Sequence, residues 1–218
     1  MTDAADVEFF FDPICPWAWL TSRWVSEVAG QRDLTVDWRF ICLAIVNDRP
    51  DDPPRSEAHI AGHAIGQKLL RVAAAVRDAE GPGRVGELYT QFGGDLHVRG
   101  RRDELAEHWQ EGFPDYLASV GLAPEYVAAA QDEAWDAVLR SETAEALSRA
   151  GSDVGTPIIS FTKDGVTSSF FGPVISRVPR GEEAIRLWDA VWEVATFPGL
   201  AEIKRSLRER PQLADSLG

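Results

Sequence analysis

Cys15 is the residue of this 218-residue chain whose setting most favours chemistry. A free cysteine most often ends as small, inert core filling. This one follows the apolar run Phe9-Phe10-Phe11 and the short turn Asp12-Pro13-Ile14, and it precedes Pro16. Proline suits the first position of a helix, where its missing N–H would have had no intrahelical partner. From there Trp17, Leu20, Trp24 and Val28 keep helical spacing, and Gly30 marks a stop. Cys15 is therefore predicted at a helix N-cap, where open backbone N–H groups and the positive end of the helix dipole favour thiolate over thiol. A thiolate there attacks a disulfide or an electrophilic small molecule, giving a mixed disulfide or a thioether.

The other chemically interesting side chains carry weaker signals. Cys42, between Ile41 and Leu43, reads first as a small buried apolar residue at the end of a strand. As a resolving thiol it would need its Cα within roughly 7 Å of that of Cys15. His59 and His63 are four apart on one helix, which is half of a metal site with no third ligand in view. A solvated or packed pair, and no metal, is the expectation. Arg177 and Arg180 precede a helix that starts near Gly181. They either bind a carboxylate or another anion at that helix end or pair with Glu182 and Glu183.

The elements that must position Cys15 follow from periodicity. Val7 to Asp12 is short and almost continuously apolar, as a central parallel strand is. Thr35 to Leu43 alternates, with Val36, Trp38 and Phe40 on one face. Strand, helix, strand makes one right-handed βαβ unit. Asn47-Asp48-Arg49-Pro50-Asp51-Asp52-Pro53-Pro54 is the clearest break. Nothing from Ser56 to about Ala150 reads as strand. Helices are expected through Ile60 to Val76, Val85 to Phe92, Asp103 to Ser119 and Pro124 to Ala150, broken at Gly93-Gly94 and Gly121. Strand pattern resumes at Pro157 to Phe161, turns at Lys163-Asp164-Gly165 and returns over Thr167 to Phe171 as a hairpin. Helices over Gly181 to Ala195 and Gly199 to Arg208 close the chain. The expected fold class is α/β: a thioredoxin fold, β-α-β then β-β-α, with an all-helical insertion. Residues 1–50 and 151–218 form the thioredoxin-like domain, and residues 51–150 form the helical insertion as a lid.

Cys15-Pro16-Trp17-Ala18 resembles the C-P-x-C motif of DsbA-like oxidoreductases, with alanine in place of the second cysteine. Phe11-Asp12-Pro13, Trp19 and Thr21-Ser22-Arg23-Trp24 are similar to the narrower group of mycothiol-dependent reductases. The likeness continues through Leu88-Tyr89-Thr90, Gly93, His97 and Gly100, through Asp153-Val154-Gly155-Thr156-Pro157, and through Phe170-Phe171-Gly172-Pro173-Val174, Ser176-Arg177 and Pro179-Arg180-Gly181-Glu182-Glu183. It implies that Pro157 follows a cis peptide bond beside the active-site cysteine, with Thr156 pairing to substrate. It also implies that Pro16 and Trp17 border the substrate, and that Tyr89 and His97 lie in the helical cover, His97 as a proton donor to a leaving group. Trp24 is expected to be packing. Alanine at position 18 removes internal resolution of a mixed disulfide, so the resemblance implies monothiol chemistry with a low-molecular-weight thiol, mycothiol, as co-substrate.

Composition narrows the partners. Lys and Arg total 22 against 35 Asp and Glu, a net charge of −13. That argues against nucleic acid and anionic membranes. With 44% hydrophobic residues the chain can bury a core. Two cysteines are no disulfide framework, and the acidic start (Asp3, Asp6, Glu8) is the wrong sign for export. The expectation is a cytoplasmic thiol-disulfide oxidoreductase acting on small thiols, disulfides or electrophiles, its oligomeric state unspecified. Two alternatives stand beside it. One is a thiol S-transferase or isomerase of the kappa-class or 2-hydroxychromene-2-carboxylate isomerase type; the other is a non-catalytic binding protein on the same fold.

Overall fold

The computed structural model describes residues 5–48, 56–163 and 165–217. Four strands form one sheet in the order β2-β1-β3-β4. β1 (Val7–Phe11) is central, parallel to β2 (Val36–Phe40) with Val7 opposite Val36 and Phe11 opposite Phe40. It is antiparallel to β3 (Ile158–Lys163), which pairs with β4 (Val166–Phe171) as a hairpin. This is the thioredoxin arrangement, interrupted by helices between β2 and β3 as in DsbA-like proteins.

Alternation along β1 sorts the two faces. Val7, Phe9 and Phe11 join the main core under α1 (Pro16–Arg32) and α7 (Gly181–Ala195), while Phe10 packs with Ile41, Ala146 and Ile158 on the other side. Trp24 is fully buried against Trp188 of α7, and its Nε1 donates to the Ala184 carbonyl at 3.0 Å. On the opposite face a partly buried ionic cluster ties β1 and β2 to α6 (Asp136–Ala150). Arg39 meets Glu8 and Glu145 at 2.7 Å, and Arg77 meets Glu142 at 2.6 Å. Glu142 also accepts the Phe40 N–H at 2.8 Å, so α6 satisfies part of the otherwise open edge of β2.

Between β2 and β3 lie α2 (Leu43–Val46), α3 (Glu57–Glu80), α4 (Gly83–Gly93), a π-helical turn (Gly94–Val98), α5 (Arg102–Ser119), a 3₁₀ stretch (Pro124–Gln131, then Glu133–Trp135) and α6. Two glycines let these helices close on the active-site turn. A Cβ at Gly66 would meet an Asp12 carboxylate oxygen at 2.6 Å, and one at Gly93 would meet the Trp19 ring at 2.0 Å.

Several boundaries differ from expectation. α1 runs through Gly30 and stops at Asp33, which takes the left-handed conformation while the Asp33 and Leu34 N–H groups both reach the Ala29 carbonyl. Gly30 is only a permissive helical position. β2 is shorter than Thr35 to Leu43 because Cys42 turns the chain as the N-cap of α2. Gly93-Gly94 does not break the chain of helices; it carries α4 directly into the π turn. Gly121 does end α5's tail, at φ +69°. The segment Pro124 to Ala150 opens in 3₁₀ form before α6. The helix expected over Gly199 to Arg208 is absent: Ile203 and Leu207 are 76% and 87% exposed, so this stretch has no apolar face to bury. A helix of about ten residues without such packing is marginal in water. The break at residues 49–54 and the tip Asp164 lie outside the described residues. Among the described residues no helix is long and apolar enough to cross a membrane.

Candidate active site

Cys15 is the N-cap of α1, as its neighbours dictate. Asp12 begins the turn: its carbonyl accepts the Cys15 N–H at 3.1 Å. Its carboxylate accepts the Ile14 N–H at 3.0 Å and the Leu43 N–H at 2.7 Å. One fully buried carboxylate thus ties the cysteine turn to the start of α2. Burial pushes its pKa up to about 6, against the pull of those two N–H donors.

The Cys15 sulfur accepts the Ala18 N–H at 3.4 Å, as an N-cap side chain does, and its S–H donates to the Thr156 carbonyl at 3.5 Å. Thr156-Pro157 is a cis peptide, and it is the Thr156 carbonyl that lies against the sulfur. Gly172-Pro173 is a second cis bond. The Gly172 N–H donates to the Pro157 carbonyl at 2.8 Å, and Thr21 of α1 donates to the Pro173 carbonyl at 2.8 Å. Pro16 and Trp17 stand half-exposed beside the sulfur, whereas Ala18 is fully buried.

The expectation that the helix end makes Cys15 a ready thiolate is corrected. Cys15 is only 7% exposed, and loss of hydration pushes its thiol up to about 11. The amides of Ala18 and Trp17 pull it down, but burial outweighs them and the Asp12 charge adds to it. At rest the sulfur is an S–H donor. Cys42 is fully buried at the N-cap of α2, its N–H on Thr143 Oγ1 at 3.0 Å, and burial pushes its thiol up to about 12. Both cysteines are free.

His97 lies in the π turn, its ring stacked on Trp19 at 5.9 Å, and its Nε2 donates to the Pro13 carbonyl at 2.8 Å. Loss of hydration drives its pKa down to about 4, so at neutral pH it is an uncharged brace of the cysteine turn. That geometry spends Nε2 on the backbone rather than on a leaving group. Tyr89 is fully buried behind the site, stacked on Phe11 at 3.8 Å and edge-on to Trp19. It touches the core rather than the half-exposed side of Cys15. Arg177 is exposed and pairs with Glu183 at 2.6 Å, lining a separate groove with Ile175, Pro179 and Leu187. The pairing alternative for Arg177 therefore holds, and Arg180 bonds Glu27 at 3.2 Å and the Ser216 carbonyl at 2.9 Å. His59 and His63 stack edge to face at 4.8 Å. Among the described residues no group of three His, Cys, Asp or Glu side chains is placed to hold a metal ion.

Sequence reasoning gave no role to Asp12, although an acid between Phe11 and Pro13 at the end of an apolar strand was a visible anomaly. Nor did it foresee the C-terminal segment at the site. Gln212 N–H donates to the Ser176 carbonyl at 2.7 Å, and the Trp19 indole N–H donates to Ser216 Oγ at 2.8 Å.

Comparison with known proteins agrees with this geometry. The chain is similar to the uncharacterized protein Rv2286c of Mycobacterium tuberculosis, 29% identical over 201 residues that span 91% of this chain and 81% of that protein. In fold it is similar to the cytosolic disulfide reductase DsbM of Pseudomonas aeruginosa (TM-score 0.56, 15% identity, 85% of this chain and 98% of that one). It is likewise similar to a probable DsbA oxidoreductase, SCO1869, of Streptomyces coelicolor (TM-score 0.52, 16% identity, 93% and 100%). A 2-hydroxychromene-2-carboxylate isomerase shares the fold as well (TM-score 0.53, 14% identity, 85% and 93%). Residues 14–205 match the family described as "Rv2466c-like: Mycothiol-dependent nitroreductase Rv2466c". With the cysteine turn, the cis proline and the helical insertion all in place, the chain belongs to this Rv2466c-like family of oxidoreductases, built on a DsbA-like thioredoxin fold.

Proposed function

We propose that the chain is a monothiol reductase in which Cys15 exchanges with mixed disulfides and a low-molecular-weight thiol, mycothiol in keeping with the family description. The supporting observation is the sulfur's own environment: Cys15 Sγ lies between the Ala18 N–H and the Thr156 carbonyl, and the position one turn along the helix is a methyl group. In the first step Cys15, on losing its proton, attacks a disulfide R–S–S–R′; the Cys15–S–S–R bond forms and R′–S⁻ leaves. In the second a mycothiol thiolate attacks that bond, releasing Cys15 and carrying R away as its own mixed disulfide. Each step conserves the disulfide count, and the electrons come from the external thiol.

Deprotonation must accompany binding. With its pKa pushed up by burial, the thiol is held protonated at neutral pH until something displaces its proton. A substrate that pairs with Thr156 would take over the carbonyl the S–H now occupies. Half-exposed Pro16 and Trp17 supply the approach face. The helices α3 to α5 act as the cover of this site, and the reading places the enzyme in the cytoplasm, where small thiols are held reduced.

The buried, protonated sulfur also favours a second reading, in which the Cys15 S–H donates a hydrogen bond to a bound thiol and the cofactor does the chemistry, as an S-transferase or isomerase. Intact-protein mass separates them. Reduced protein incubated with mycothiol disulfide should gain one thiol adduct that vanishes in Cys15→Ser, persists in Cys42→Ser and is released by added mycothiol. A loss of two hydrogens that needs both cysteines would make Cys42 a resolving thiol and overturn the monothiol cycle. Transferase activity that survives Cys15→Ser would favour the second reading.

A further inference from the structure

Among the described residues three buried side-chain polar atoms have no hydrogen-bond partner: Arg23 Nη2, Tyr89 Oη and Tyr116 Oη. The first two are neighbours, the Arg23 guanidinium lying 5.6 Å from the Tyr89 ring centroid. Arg23 is 8% exposed. Its Nε donates to Ser22 Oγ at 3.2 Å and its Nη1 to Thr90 Oγ1 at 2.8 Å, both neutral acceptors. Among the described residues no carboxylate pairs with it. The other cation that acts on it is Arg180, and burial brings its pKa down to about 10, which leaves it charged at neutral pH. Aromatic faces meet this enclosed guanidinium, but without a counter-ion its burial stays costly unless an anion joins it. Arginine with a vacant nitrogen is also the side chain best shaped to grip a carboxylate.

Its place in the helix gives the ligand. Cys15, Trp19 and Arg23 are spaced i, i+4, i+8 on one side of α1. Helical side chains lean toward the N-terminus, and the guanidinium accordingly lies over the Trp19 ring, 4.3 Å from its centroid. It therefore stands about one turn, roughly 5 Å of rise, from the level of the sulfur. We infer that Arg23 is an anion subsite that receives a carboxylate on the substrate whose sulfur or electrophilic centre meets Cys15. The outer wall is Ser216, held by the Trp19 indole N–H and by Arg180. This selects substrates with an anionic arm a few carbons from the reacting atom.

The inference rests on Cys15 as the exchanging thiol, so the test separates the two. The rate of Cys15 adduct formation is measured by intact mass with 4,4′-dithiodibutyrate, which is dianionic, and with neutral 2-hydroxyethyl disulfide. The expected ratio of the two rates is at least tenfold in favour of the anion, falling toward one in Arg23→Met and partly restored in Arg23→Lys. In the unaltered protein, added butyrate should slow the anionic reaction alone, a readout that needs no variant to fold. A ratio that Arg23→Met leaves unchanged, or butyrate that slows both probes equally, overturns the subsite. If neither probe reacts, the thiol-exchange reading fails by itself. Calorimetric binding of 4,4′-dithiodibutyrate to Cys15→Ser then decides the subsite: heat that disappears in Cys15→Ser with Arg23→Met upholds it, and absence of binding overturns it.

Discussion

Two buried groups brace the cysteine turn from opposite sides, and they titrate with opposite consequences for stability. Asp12 has its carboxyl raised from 3.8 to about 6, chiefly by burial. A raised acid is penalised by folding when ionised, so its penalty is complete above about pH 6 and fades as pH falls toward 4. At 1.36 kcal/mol per unit, acidification from pH 7 to 4.5 should return about 2 kcal/mol through Asp12. His97 has its pKa lowered from 6.5 to about 4, again chiefly by burial. A lowered base folds without penalty above its unfolded pKa and loses stability as pH falls through the interval, here about 2 kcal/mol between pH 7 and 4.5. The two nearly cancel in the unaltered protein. Single variants should expose them. His97→Gln keeps a donor for the Pro13 carbonyl and removes the titration, so urea unfolding at the two pH values should show it less acid-sensitive than the parent by about 2 kcal/mol. Asp12→Asn should be more acid-sensitive than the parent by about 2 kcal/mol, on top of a constant cost for presenting an amide donor to the Ile14 or Leu43 N–H. Shifts of the same sign in both variants, or none in either, would refute the assignment of these charge states.

Three further outcomes follow from the same geometry. Ala18→Cys restores a thiol one turn from Cys15; oxidised protein should lose two hydrogens by mass, and the mycothiol adduct should become transient, while the buried methyl site makes overpacking of about 1–3 kcal/mol the accompanying cost. Gly93→Ala drives a Cβ to 2.0 Å from the Trp19 ring, so a loss of more than about 2 kcal/mol and an altered tryptophan emission are expected, whereas Gly30→Ala, with nothing within 4 Å, should be neutral or slightly stabilising on thermal unfolding. Cys42→Ala should lower stability by about 1 kcal/mol through the cavity it leaves and should leave the rate of Cys15 adduct formation unchanged; a large rate loss would bring Cys42 into the reaction.

The sheet, α1, α7 and the helical insertion were legible in the sequence because each carries a periodic pattern or a residue that works locally. Pro16 starts α1 wherever the rest of the chain goes, and the apolar run of β1 can only be central. The end of α1 was misread because a helix stop depends on which residue can take the left-handed turn and still be capped. Asp33 does so with the Ala29 carbonyl, and Gly30 carries no packing demand that would force an earlier end. Gly199 to Arg208 failed for the opposite reason: its spacing suits a helix, but a pattern cannot reveal that no surface waits to cover Ile203 and Leu207. At the site, the Thr156 carbonyl meets the Cys15 sulfur, as the resemblance implied a pairing near the cysteine. Asp12, Arg23 and Ser216 acquire significance only through contacts with residues distant along the chain, such as Leu43, Thr90 and Trp19.

The protonation state of Cys15 shows how these long-range contacts change the chemistry. A helix N-cap alone argues for an activated thiolate, and the Ala18 and Trp17 amides do stabilise it. The fold then closes over that cap: Gly66 lets α3 descend onto Asp12 and Ile14, and His97 clamps Pro13. Removing water from the sulfur outweighs two amides, and the Asp12 charge adds to the same side. Such a sulfur resists adventitious oxidation, because the thiolate is the oxidisable form. It becomes nucleophilic when a bound partner supplies what burial has withheld, an acceptor or a counter-charge at the moment of attack. With alanine at position 18 the helix offers no second thiol one turn from Cys15, so under the proposed monothiol cycle a nucleophile kept protonated until its substrate arrives would be protected from misplaced adducts.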